Sequence, residues 1–223
     1  MIRVVISGYG KMGHIVEKEL ASKGIELVLA TDDVRSVPKD VASECVCIDF
    51  TTPAAFRENY RFLADSFKAV VVGTTGWNDI ESEVTEYFEA AGTTMIYASN
   101  FSIGVNVLYA AVDLLSRKLG SAGGYMPYIV EKHHIHKLDA PSGTAKSIAE
   151  IVNEGMGGSV DIQSVRCGEI PGIHTVGFEG VNDRITITHE AFSRAGFAQG
   201  AVYAATLTEA LSGVHRFQDL ITA

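Results

Sequence analysis

The first thirty residues constrain this chain more than any other feature. A short apolar run, Ile2–Ser7, breaks into Gly8-Tyr9-Gly10-Lys11-Met12-Gly13. The stretch Lys11–Ala21 then carries Met12, Ile15, Val16 and Leu20 at near-helical spacing, and a second apolar run, Ile25–Ala30, leads to Asp32. Strand, glycine-rich turn, helix, strand is the pattern of a βαβ unit. The alternation continues. Val46–Phe50 reads as a third strand, after which Thr52 caps a helix with Pro53 at its first position. Ala69–Val72 is a fourth strand, followed by Gly73-Thr74-Thr75-Gly76. Asp79–Ala91 is a helix closed by Gly92, and Thr94–Ala98 a fifth strand. Such alternation predicts a parallel sheet with helices on both faces.

The pattern changes near Phe101. A long helix is expected over Gly104–Leu119, stopping at Gly120, then a strand over Tyr128–His133 and a helix capped by Ser142 and running to about Asn153. Strands are expected at Val160–Val165 and Arg184–His189; in the latter Ile185 and Ile187 alternate with Thr186 and Thr188, as on a sheet with one solvated face. The expected architecture is α/β. A Rossmann-like parallel sheet occupies 1–103, a second α+β domain occupies 104–211, and the tail 212–223 returns to the first. A chain of 223 residues, 47% apolar and 20% charged, can bury two small cores without staples.

The net charge of -9 argues against a broad nucleic-acid surface and leaves room for a local anion pocket. The cysteines Cys45, Cys47 and Cys167 are odd in number and form no C-x-x-C pair, which speaks against a disulfide framework or a zinc site. The N-terminus enters a strand without a basic region, and no apolar run approaches the roughly 18 residues of a membrane span. A cytoplasmic protein is the expectation.

The glycine loop follows a strand and opens a helix, with an acidic residue at the end of the next strand; that context points to a dinucleotide. Gly8 permits the tight turn, Gly10 lets backbone approach a pyrophosphate, and Gly13 allows helix to pack on strand. Tyr9, Lys11 and Met12 complete the loop, the helix-start amides favour the anion, and Asp32 suits ribose hydroxyls. Asp33 would repel the 2′-phosphate of NADPH, although Lys11 and Arg35 offset this; the balance leans to NADH, with dual use open. The loops after strands four and five, Gly73, Thr74, Thr75 and Ala98, Ser99, Asn100, Phe101, fall at the carboxyl ends of the sheet and would border the cofactor. Phe101 fits a core or hinge side chain equally.

The second informative stretch is Glu131-Lys132-His133-His134-Ile135-His136-Lys137-Leu138-Asp139-Ala140-Pro141-Ser142-Gly143-Thr144-Ala145. Three of the seven histidines and two lysines fall within six residues, followed by a turn and a helix start. Ser142, Gly143 and Thr144 at a helix N-terminus suit a carboxylate, and histidine suits general acid–base work near neutral pH. Histidines at this spacing without further Cys or Glu ligands are a poor zinc site, and no metal is expected.

This block resembles the signature E-x-H-H-x-x-K-x-D-A-P-S-G-T-A of dihydrodipicolinate reductases. The similarity extends to the N-terminal glycine loop, Asp49-Phe50-Thr51, Val72–Gly76, Asn100–Asn106, Arg166–Ile170 with Gly172 and His174–Val176, and Ser193-Arg194 with Phe197-Ala198 and Gly200-Ala201. The resemblance implies reduction of a small cyclic dicarboxylate by NADH or NADPH in lysine and diaminopimelate biosynthesis. It implies His133 as the acid/base, Lys137 as the proton donor, and His134, Gly143 and Thr144 as carboxylate ligands. It also implies a homotetramer assembled through the second domain's sheet. In the reaction, loss of a hydroxyl leaves a conjugated imine, hydride adds to a ring carbon, and a proton reaches the adjacent enamine-like position. His133 and Lys137 lie four apart, so they border one cavity only if the intervening loop curls back. Closure of the two domains on ligand is expected, with hinges near Ser102–Gly104 and Leu211–Val214. Two departures stand out: the glycine loop is one residue shorter than the family's G-x-x-G-R-M-G, with Lys11 in the Arg place, and the segment between Asn153 and Arg166 is short. An amino-acid dehydrogenase of the aspartate type would explain the glycine loop and Asp32 but not the His-His-x-x-Lys block. A dinucleotide sensor would need an output module, and none is visible.

Overall fold

The computed structural model describes residues 2–222; Met1 and Ala223, the outer ends of the expected first domain, lie outside the described residues. In chain order the elements are β1 (Arg3–Ser7), α1 (Lys11–Ser22), β2 (Glu26–Thr31), α2 (Lys39–Ala42), β3 (Val46–Asp49), α3 (Pro53–Ser66), β4 (Ala69–Val72), α4 (Glu81–Ala91) and β5 (Thr94–Tyr97). There follow α5 (Ile103–Ala122), β6 (Met126–His133), α6 (Gly143–Met156), β7 (Ile162–Arg166), β8 (Gly172–Glu179), β9 (Arg184–Ala191), α7 (Ala195–Leu207), β10 (Val214–Arg216) and α8 (Phe217–Thr222).

Two compact units divide the chain, Met1–Ile103 with Ala195–Ala223, and Gly104–Arg194. The first contains a six-stranded sheet in the order β10-β5-β4-β3-β1-β2, parallel throughout. Alternate strand residues feed opposite faces. Val4 and Ile6 join a core under α1 and α7, whereas Val5 joins one under α3 and α4. Buried Cys45 and Cys47 belong to the second of these cores. Thr52 accepts a hydrogen bond from the Ala55 amide and so starts α3 with Pro53 in place, and Gly92, at φ 71°, ends α4. Because all strands run one way, the loops 8–10, 32–33, 73–76 and 98–101 leave the same edge of the sheet. The strand order reverses between β1 and β3, the switch point at which open sheets bind ligands.

The second unit is a mixed sheet, β7-β6-β8-β9, with β6 and β7 parallel and the other pairs antiparallel. Ile129, Val176 and Phe178 pack against Val105, Leu108, Tyr109 and Val112 of α5 and Ile148 and Val152 of α6.

Three expectations need correction. The first unit regains the chain at Ala195, not near 212, because α7 packs along α1 and over β3 and β4; the second crossing therefore falls at 194/195 and not at Leu211–Val214. The α7 helix gives a weak periodic signal because its covered side is built of small residues, with Ala198, Gly200, Ala201, Ala204 and Ala205 buried, while its exposed side carries Gln199, Tyr203 and Thr206 and no charge. Finally, α5 runs through Gly120 to Ala122. Gly120 and Gly155 are contact points: a Cβ on Gly120 would stand 2.5 Å from the Gly155 carbonyl oxygen, and one on Gly155 would stand 2.5 Å from Ser116 Cβ. The turn comes at Gly123 and Gly124, both with positive φ.

Candidate active site

In the first unit, each glycine of the loop has a distinct reason. Gly8 has φ +91°, and a Cβ there would lie 2.4 Å from the Phe50 carbonyl oxygen at the end of β3. A Cβ on Gly13 would lie 2.4 Å from the Gly8 oxygen, so α1 can seat against the turn only without one. Around Gly10, by contrast, no atom stands within 4 Å of a Cβ position, and α1 starts with no side-chain cap. Open space before uncapped helix amides suits a pyrophosphate. The Asp32 carboxylate accepts a 2.7 Å bond from the Tyr9 amide, which joins the end of β2 to the loop. Tyr9 lies over His14 and bonds Glu17, Lys11 is exposed, and Met12 packs inward on the core.

Behind these loops lies Asp49, 1% exposed. Its carboxylate accepts from Ser7 at 2.7 Å, Thr51 at 3.0 Å and Thr74 at 2.5 Å, and Thr74 Oγ1 also receives the Thr51 amide at 2.7 Å. Burial raises the Asp49 pKa, and these bonds oppose the rise. One carboxylate thus ties the carboxyl ends of β1 and β3 to the loop after β4. Gly73 lies under the Phe50 ring, where a Cβ would meet carbon at 2.1 Å. Thr74 therefore faces inward as an anchor, and Thr75 is exposed. Ala98 and Asn100 are half-buried, Ser99 is exposed, and Asn100 Oδ1 accepts the Ser102 amide at 2.8 Å. Phe101 is 2% exposed and its ring packs in the core against Phe217, which matches the core position that its sequence context fits equally.

In the second unit, polar side chains gather at one end of the core-facing side of the sheet. His133, the last residue of β6, is 7% exposed and its Nδ1 contacts Glu131, which is fully buried. Arg166 on β7 grips both oxygens of Glu131, at 2.7 and 2.9 Å, and the Ser142 amide reaches the same carboxylate at 3.3 Å. Burial would raise the Glu131 pKa, but Arg166, Ser164 and His133 outweigh it and hold the value at about 2. For His133, burial lowers the pKa, Glu131 opposes, and Lys137 and Arg166 reinforce the fall. His174 on β8 stands edge-on to His133, 5.2 Å between ring centres, and its Nε2 pairs with Ser142 Oγ at 3.1 Å. Burial first, then His133, hold His174 at about 4.

The loop after His133 curls back. The His134 amide bonds the Ile170 carbonyl at 2.8 Å, and the Lys137 amide closes a turn onto the His134 carbonyl at 3.2 Å. Lys137 Nζ pairs with Asp139 at 2.8 Å, and its charge acts on both His133 and His174. After the cis Ala140–Pro141 bond, the Ser142 hydroxyl accepts the Ala145 amide and starts α6. Gly143 is exposed, with open space where a Cβ would stand, and Thr144 is half-buried beside Tyr109. His134 is half-buried, with an unpartnered Nδ1. Thus His133, Lys137, Gly143 and Thr144 come together within one unit, around an imidazole next to a lysine and a helix N-terminus.

Comparison with known proteins decides the family. The model described as dihydrodipicolinate reductase, N-terminus, matches residues 2–101, and the one described as dihydrodipicolinate reductase, C-terminus, matches residues 104–221. The chain belongs to the dihydrodipicolinate reductase family. Its relatives include the 4-hydroxy-tetrahydrodipicolinate reductase of Christiangramia forsetii, 33% identical over 99% of this chain and 98% of the other. The enzyme of the same name from Desulfovibrio desulfuricans is 37% identical over 91% of each. A dipicolinate-bound dihydrodipicolinate reductase from Paenisporosarcina sp. TG-14 superposes with a TM-score of 0.87, covering 99% of both chains at 22% identity, and so shares the fold.

As a dihydrodipicolinate reductase the chain carries four polar side chains that motif reading passed over as functional: Asp49, Glu131, Arg166 and His174. Their signal was weak. Each lies inside or beside a matched motif, but only the fold shows that Arg166 and His174, 33–35 and 41–43 positions from His133 and Glu131, meet them. Register does this: Glu131 pairs across the sheet with His174, and His133 with Arg166.

Proposed function

We propose that this chain reduces 4-hydroxy-tetrahydrodipicolinate, with His133 and Lys137 handling protons and the first unit holding NADH or NADPH. The carrying observation is the buried His133, with Nδ1 taken by Glu131, beside Lys137 and the start of α6. A reduced nicotinamide, when bound, supplies the hydride. Gly8, Gly10 and the uncapped start of α1 would hold its pyrophosphate, and Asp32 a ribose. Thr75, Ser99 and the backbone of the loops after β4 and β5 would border the rest.

Held below its usual value, His133 is neutral near pH 7. Its Nδ1–H donates to Glu131, and Nε2 has no partner among the described residues and is not sealed from solvent. Nε2 thus starts as an acceptor and can return a proton, while the Lys137 ammonium donates one. The two carboxylates of the substrate suit His134 and the Gly143–Thr144 end of α6. The relative solved with dipicolinate, a ring dicarboxylate, supports this substrate class.

NADH is the favoured coenzyme. The Asp33 carboxylate sits beside Asp32, and Arg35 donates to Asn59 at 2.7 Å and to the Glu58 carbonyl at 2.5 Å, which commits it to α3. The uncovered face of the second sheet, with Tyr128, Val130, Ile173 and Thr175, supports assembly into a homotetramer, to be checked by sedimentation.

The test follows nicotinamide absorbance with substrate generated in situ and with NADH and NADPH in parallel. Oxidation should require both enzyme and substrate and run faster with NADH. No oxidation by folded protein that binds NADH would exclude the reaction. A higher kcat/KM with NADPH would reverse the coenzyme assignment.

A further inference from the structure

A fully buried carboxylate with four polar neighbours is costly to assemble. Bracing β6 to β7 requires only Glu131 and Arg166. In addition Oε2 meets His133 Nδ1, and Oε1 receives the Ser142 amide at 3.3 Å, the N-cap of α6. We propose that Glu131 is the positioning residue of this reaction centre: it fixes one tautomer and one orientation of His133 and steadies the imidazolium formed when Nε2 takes a proton. The proposal rests on the reading of His133 as the acid–base group.

The chemistry leaves little choice. An ionised carboxylate only accepts, so the shared proton belongs to Nδ1 of neutral His133 and the Nε2 lone pair points away. Arg166 contributes the fork that keeps Glu131 ionised and in plane, with bonds of 2.7 and 2.9 Å. The groups that act on His133 are Glu131 on its own strand, Arg166 on β7, His174 on β8 and Lys137 on the following loop. Among them Glu131 is the one anion. Without it, Arg166 and Lys137, the latter paired with Asp139, both act against a charge on the ring, and its protonated form loses its support. The reach of Glu131 to Ser142 also ties the orientation of His133 to the helix end that faces substrate, so acid–base group and carboxylate cradle share one anchor.

Two measurements test this. Imidazole ¹⁵N spectra of the intact wild-type enzyme, with His133 assigned through His133→Gln, should show the Nδ1–H tautomer at neutral pH. An Nε2–H tautomer would overturn the proposal, and this readout stands even if the Glu131 variant does not fold. In Glu131→Gln, kcat should fall roughly 10–100-fold with KM nearly unchanged. The acid limb of its kcat–pH profile should move to lower pH, which a mere brace between strands would not cause. A folded Glu131→Gln enzyme with wild-type kcat and an unmoved limb would refute the assignment. His133→Gln measured alongside separates the two readings. If it keeps full turnover, the His133 reading falls and this proposal with it. If it loses turnover while Glu131→Gln does not, only the role of Glu131 falls.

Discussion

At His133 one nitrogen is spoken for and the other is kept clear by an absence. Gly172 of β8 is buried, and a Cβ there would stand 3.0 Å from His133 Nε2 and 3.4 Å from Cδ2. Its φ lies outside the left-handed region, so the backbone tolerates alanine. Gly172→Ala should therefore fold normally, with a Tm close to wild type, yet lose turnover by about 10–100-fold, since small displacements of a reacting group cost that much. Unchanged kcat would mean Nε2 does not work toward that side. His133→Gln should lower kcat about 10²–10⁴-fold with a smaller effect on KM, and Lys137→Ala should impair turnover similarly. Steady-state kinetics on both variants decide whether the two residues carry the protons.

Elements carry a different kind of constraint. Asp49 gathers hydroxyls from the ends of β1 and β3 and from the loop after β4, and all three lose their acceptor in Asp49→Ala. Each buried group left unpaired costs about 1–3 kcal/mol. The expected result is a lower Tm together with a raised KM for coenzyme, because the loops that would border it are no longer tied. A KM unchanged at lower Tm would restrict Asp49 to stability. The Gly120–Gly155 crossing of α5 and α6 supplies the contrast. A Cβ at 155 would meet Ser116 Cβ at 2.5 Å and the Arg117 amide nitrogen at 3.0 Å. Gly155→Ala should destabilise by about 1–3 kcal/mol through overpacking. Coenzyme KM should not move, and a thermal melt beside kinetics checks both.

For the molecule as a whole, two buried histidines and the half-buried His189 set the pH response. His133, His174 and His189 are all pulled below 6.5, by burial first, and His174 lies at about 4. The unfolded chain binds protons at these sites where the folded one does not. Stability is therefore present above roughly pH 6.5 and lost as pH falls through the folded values. For His174 the loss is on the order of 3 kcal/mol by pH 4. Glu131, at about 2, adds a further loss only below its usual carboxylate range, as pH falls toward 2. Denaturant melts between pH 7 and 4 should show a falling midpoint, blunted in His174→Asn; a flat midpoint would contradict the burial of these rings. No helix among the described residues is long and apolar enough to cross a membrane, and none of their His, Cys, Asp and Glu side chains cluster in a group of three fit for a metal ion.

The sequence by itself determined what is local. Period and punctuation marked β1 through β5, α1 and α4 to within two residues and the start of α3, but not the one-turn α2, and the caps at Thr52, Ser142 and Gly92 are chemistry that the chain writes in adjacent letters. The glycine loop and the His-His-x-x-Lys block were legible for the same reason: their roles depend on neighbours a few residues away. The tertiary structure alone decided what depends on distant partners. Gly120 reads as a stop in isolation and is a crossing point because Gly155 faces it. The α7 helix gives little periodic signal because alanine and glycine line its covered side and no charge marks its exposed one. Asp49 and Glu131 look like ordinary strand carboxylates until register brings Ser7 and Thr74 to one and Arg166 to the other. Burial, pairing and pKa follow from contacts across the sheet, and a linear pattern of residues does not encode which strands lie side by side.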